Sequence, residues 1–128
     1  PTGDFDWAGF VLTRVELKDY AEARDAPAAA ATIELDYENG PGFEVTLDQD
    51  TTFTFSNWPA SGKMGSFTLW VHQNGTGGWI ITWPTEVDWH EQSTPTPTTE
   101  PNDTSIFSFA STDAGARVYG FVGGIDFG

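Results

Sequence analysis

Cysteine is absent from these 128 residues, methionine occurs once and only five residues are basic. Without cysteine there is no disulfide framework, no thiolate zinc site and no cysteine nucleophile. The five basic residues (Arg14, Lys18, Arg24, Lys63, Arg117) face nineteen acidic ones, for a formal charge of −14. Such a surface repels phosphate backbones and anionic membranes, so neither nucleic acid nor membrane is expected as a partner. No apolar stretch approaches the length of a membrane span, and no basic-then-apolar start resembles a signal peptide.

What is present is aromatic. Phe, Trp and Tyr make up 15% of the chain, which argues against disorder in so acidic a sequence. From Thr51 to Trp89 strand-forming residues recur at every second position, as in Thr52-Phe-Thr-Phe55, Phe67-Thr-Leu-Trp-Val71 and Trp79-Ile-Ile-Thr-Trp83. That spacing sends alternate side chains to opposite faces of a sheet. Ile33, Leu35 and Tyr37 alternate in the same way, as do Phe43, Val45 and Leu47. Turns rich in Gly, Asn and Pro separate these runs, and Asn74-Gly-Thr-Gly-Gly78 can supply the positive φ angles of a hairpin. Further strands are expected at Val87 to Trp89, Ile106 to Ala110 and Val118 to Val122. About seven to nine short strands at regular spacing predict an all-β fold, an antiparallel β-sandwich or barrel. The Ser/Thr/Pro-rich stretch 91–103 reads as an extended surface loop.

Residues 1–29 differ from the remainder. An apolar start (Phe5, Trp7, Phe10, Val11, Leu12) leads into charged residues, a short helix or turn near Leu17 to Arg24, and an alanine-rich piece broken at Pro27. The expected organisation is an extended N-terminal arm over 1–29 and a β-sandwich domain over 30–128.

Catalytic chemistry finds little support. Asp36, Glu38, Glu44, Asp48 and Asp50 are dense, but most alternate with apolar residues and so belong on a solvated face. Asp36-x-Glu38 and Asp48-x-Asp50 offer oxygen ligands without a calcium loop. His72 and His90 lack zinc-site spacing, and no Gly-x-Ser-x-Gly elbow or Walker-type loop occurs. No cofactor, metal or catalytic residue is assigned. The six tryptophans are the remaining candidates. Trp58 and Trp79, on loops, are candidate aromatics for a receptor or sugar. Trp70 points away from the Phe67/Leu69/Val71 face and needs cover, which favours a subunit contact. Phe5, Trp7, Phe10, Leu12 and Trp70 form the candidate interface set.

Several elements, taken in order along the chain, resemble a known family. They are Phe53-Thr-Phe-Ser-Asn57, Pro59-Ala-Ser-Gly-Lys63, Ser66-Phe-Thr-Leu69, Gly77-Gly78, Thr82-Trp-Pro84, Tyr119-Gly-Phe121 and Asp126-Phe127. Together they resemble a small β-rich domain of structural proteins in tailed bacteriophages, found in tail-fibre and other appendage proteins. The resemblance implies a virion structural protein, homotrimeric and without enzymatic activity. No shaft repeat or collagen-like segment accompanies the domain, and Glu86-Val-Asp-Trp-His-Glu91 is acidic for the family. These departures lead to the expectation of a capsid decoration (cement) protein on the outer capsid surface, with the major capsid protein or another virion protein as partner. The alternative is a tail-fibre or receptor-binding module touching a host glycan or protein.

Overall fold

A computed structural model describes residue 9 and residues 11–128. The described residues form nine strands: β1 (Arg24–Asp25), β2 (Thr32–Asp36), β3 (Gly42–Leu47), β4 (Thr51–Ser56), β5 (Gly65–Gln73), β6 (Ile81–Thr82), β7 (Val87–Trp89), β8 (Thr104–Ser111) and β9 (Val118–Phe127). Short 3₁₀ turns occupy Tyr37–Asn39 and His90–Gln92. No helix forms between Leu17 and Arg24. That stretch is irregular and exposed, with Asp19 at a positive φ, and β1 lies inside the segment expected to be an arm.

The strands make two sheets, a larger one ordered β1-β3-β5-β8-β9-β7 and a smaller one ordered β2-β4-β6. From β1 to β6 the chain changes sheet at every strand. Successive strands of one sheet therefore run parallel, with Ile33 beside Phe53 and Phe43 beside Leu69. The all-β class and the two-layer arrangement match the sequence pattern, but the pairing differs from the antiparallel expectation. Only β5–β8 and β8–β9 are antiparallel. The Asn74–Gly78 turn accordingly joins two sheets and closes no hairpin.

Every strand from β2 to β5 has one face against the opposite sheet and one in water, which is why the sequence alternates. The core is aromatic at its centre: Phe43, Phe53, Phe107 and Phe109 are fully buried, with Leu35, Leu47 and Leu69 around them. Edge-to-face contacts such as Phe43–Phe67 (5.0 Å, 79°) and Phe55–Phe67 (5.2 Å, 90°) link the rings. Each such pair contributes about 0.5–1.5 kcal/mol beyond the burial of its area.

Candidate interaction surface

Because Phe67, Leu69 and Val71 of β5 and Phe107 and Phe109 of β8 point into the core, their neighbours make the outer face of the larger sheet. Strand register aligns these outward residues in rows. Glu44, Trp70, Ile106 and Gly124 share one row; Thr68, Ser108 and Phe121 share the next; Ser66, Ala110 and Tyr119 share a third. Across β5 and β8 the outward residues are Ser66, Thr68, Trp70, His72, Thr104, Ile106, Ser108 and Ala110, without an acidic or Lys/Arg side chain among them. Trp70, Tyr119, Phe121 and Phe127 are 47–53% exposed. At the far end of β9 the Phe127 ring lies over Gly124, where a Cβ would come within 2.3 Å of it. Tyr119, Phe121 and Phe127 carry no sequence signal that marks them for this surface. Their outward direction depends on which strand β9 pairs with.

Charge returns at the margin of this face. Arg24 pairs with Glu44, whose Oε1 lies 2.8 Å from His72 Nε2, and His72 Nδ1 lies 2.7 Å from Thr104 Oγ1. This polar chain crosses β1, β3, β5 and β8. The hydrogen bond from His72, then that from Arg24, holds the Glu44 carboxyl below its ordinary value. Beside it, Trp70, Thr68, Glu44, Arg24 and Glu22 line an open groove of about 390 Å³.

Trp58 and Trp79, the loop tryptophans named from sequence, are packed. Trp58 sits 5.2 Å from Phe67 and 5.5 Å from Tyr37, ring centre to ring centre. Trp79 donates its indole N–H to Asn74 Oδ1 at 2.9 Å, and its backbone is held by Gln73. Leu12 is exposed on the irregular segment before β1. Phe5, Trp7 and Phe10 lie outside the described residues. The densest carboxylates are spent on local structure: Asp36 accepts from the Glu38 backbone and the Asn57 amide, and Asp50 accepts from Ile80 N–H.

A second surface lies at the edge of β9. Its inner neighbour β8 pairs along its length, whereas β7 pairs only with Val118, Tyr119 and Gly120. Among the described residues no strand borders β9 on that side beyond Gly120, and the loop after β7 reaches β9 through Thr98 N–H to the Ile125 carbonyl. Where β7 turns away at His90–Gln92, a groove of about 460 Å³ opens, lined by Trp89, Glu91, Pro95, Phe121 and Val122.

A family model described as "Putative phage tail fibre C-terminal domain" matches residues 39–112. No curated protein and no solved structure matches the chain. The matched residues run from β3 to β8 and make up more than half of the sequence, with most of the aromatic core and Trp70 among them. The chain therefore belongs to this phage tail fibre C-terminal domain family, a family of β-rich virion structural proteins.

Proposed function

We propose that this protein is a non-enzymatic structural domain of a phage tail appendage and that it self-associates, as a trimer, through the outer face of its larger sheet. The observation that carries the reading is the uncharged aromatic face on a chain of net charge −14. Two such chains repel each other wherever carboxylates meet. The face bearing Trp70, Ile106, Phe121 and Tyr119 is where copies approach without that penalty. With Phe127 the face has four half-exposed aromatic rings, which supply on the order of 400 Å². Ile106, Ala110 and the hydroxyl groups between them extend this towards the ~800 Å² that one partner gives to a stable interface.

Of the two virion locations suggested by the sequence, capsid surface and tail, the family description supports the tail. The Thr104–His72–Glu44 chain has the order of a hydroxyl–imidazole–carboxylate relay, yet its surroundings favour a structural role. His72 and Thr104 lie on strands paired on both sides, so the backbone N–H groups beside them serve the sheet ladders. No pair of free donors is thereby offered to a developing oxyanion.

The groove beside Trp70 favours a second reading, contact with a host glycan. An exposed indole there stands next to the Arg24–Glu44 pair, a flat apolar platform beside a polar fork. Sedimentation of the full chain and its Trp70→Ser variant separates the two. The self-association reading predicts an oligomer that the substitution weakens at least tenfold with little change in melting temperature. A monomeric parent chain whose binding to host polysaccharide is lost in Trp70→Ser would favour the glycan reading instead.

A further inference from the structure

Residues 11–20 (VLTRVELKDY) are the one long stretch of described chain with strand-type sequence and no strand. Val11, Thr13, Val15 and Leu17 alternate with Leu12, Arg14, Glu16 and Lys18, a period-two pattern. Yet Val11 is 84% exposed, Val15 50% and Leu17 66%. Arg14 and Asp19 hold positive φ angles of 56° and 58° without being glycine, a region that extended pairing would let them leave. Over 11–24 the charges cancel, Arg14, Lys18 and Arg24 against Glu16, Asp19 and Glu22, so this segment escapes the repulsion that the rest of the chain exerts on a second copy.

The edge of β9 is the matching vacancy in the fold. From Phe121 to Phe127 no described strand lies beside it, over the same seven-residue length as Val11 to Leu17, although the Ile125 carbonyl already accepts from Thr98 N–H of the 91–103 loop. Val122 and Ile125 are half exposed there, and the groove at Trp89, Pro95 and Val122 continues the line of β7. An apolar edge recruits another strand through those of its backbone groups that lack a partner. Glu91 lines the groove and Asp126 lies on the strand, carboxylates of opposite sign to Arg14 and Lys18.

We infer that residues 11–17 of one copy add as a strand to the Phe121–Phe127 edge of a second copy, with Val11, Val15 and Leu17 turned towards Val122 and Ile125. The inference rests on the self-association reading and gives it a second, strand-exchanging contact.

The absence of cysteine makes the test direct. Full-length Val15→Cys and Val122→Cys variants, mixed and mildly oxidised, should give a 15–122 disulfide between different copies, located by mass spectrometry. Thr13→Cys and Leu17→Cys in place of Val15→Cys cover a shift of register. Mixed variants without any such link, or a double variant that links only within one chain, would overturn exchange between copies. Val15→Pro supplies the second arm, since proline cannot join a ladder and this position lies outside the folded core. It should weaken self-association at least tenfold at unchanged melting temperature. Unchanged association would remove strand exchange and leave the Trp70 contact standing, whereas a monomeric parent chain would remove both.

Discussion

Gln73 and Trp79 are joined twice: the Gln73 amide donates to the Trp79 carbonyl at 2.9 Å, and Trp79 N–H donates to Gln73 Oε1 at 3.1 Å. The same amide also donates to the Thr98 carbonyl at 3.0 Å. A side chain thus replaces a strand partner at the point where the chain leaves the larger sheet for the smaller one, and it does so at 3% exposure. Replacing Gln73 by Leu keeps the bulk but orphans three backbone groups. The expected cost is about 3 kcal/mol of stability, measured as a lower midpoint of urea unfolding. A midpoint unchanged from the parent would show that the turn closes without this side chain.

Trp58 is held against Gly115, which has φ +82° and no room for a Cβ: one built there would lie 2.2 Å from Trp58 Cδ1. Gly115→Ala should therefore cost about 1–3 kcal/mol through overpacking and backbone strain. Trp58→Ala should cost about 3 kcal/mol, the low end for a tryptophan because the ring is only partly buried. Thermal unfolding of both variants checks this. If Trp58→Ala left stability unchanged but abolished host binding, the ring would belong to a receptor site.

Two carboxyl groups shift in opposite directions, which gives opposite pH signatures. Glu44 is held low by its hydrogen bonds to His72 and Arg24, so its stabilising effect is present above the ordinary carboxylate range and is lost as pH falls through the folded value. Asp103 is pushed up, first by its hydrogen bond with the Asp126 carboxyl and then by burial. Its proton favours the folded state, and stability falls as pH rises from the ordinary Asp value through the raised one. Asp103→Asn should therefore raise the melting temperature at about pH 7 and lose that advantage at about pH 3. Glu44→Gln should lower it at about pH 7 with little effect in acid. The reverse order in a pH series of thermal melts would contradict the assignment of these neighbours.

The sequence made the strands legible but not their partners. Phe43/Val45/Leu47, Phe53/Phe55 and Phe67/Leu69/Val71 all form the strands that their alternation predicts, and Trp70 faces outward as expected. One wet face usually signals antiparallel pairing, because parallel sheets are commonly covered on both sides. Here β1 to β6 alternate between two sheets, so parallel strands also keep a wet face. Turn residues such as Asn39-Gly-Pro-Gly42 bend the chain equally well in either topology. The outward rings of Tyr119, Phe121 and Phe127 were hidden for the same reason. Their surface exists only once β9 is placed beside β8, and the bare edge only once β7 proves to be three residues long.

A tail appendage and a capsid decoration differ most in how many copies one phage particle carries. The number for this protein in purified virions is measured against the major capsid protein by quantitative mass spectrometry. As part of a tail appendage it should be present at a few to a few dozen copies per particle. A ratio near one per major capsid protein would place the protein on the capsid as a decoration, and absence from the particle would contradict a virion role altogether.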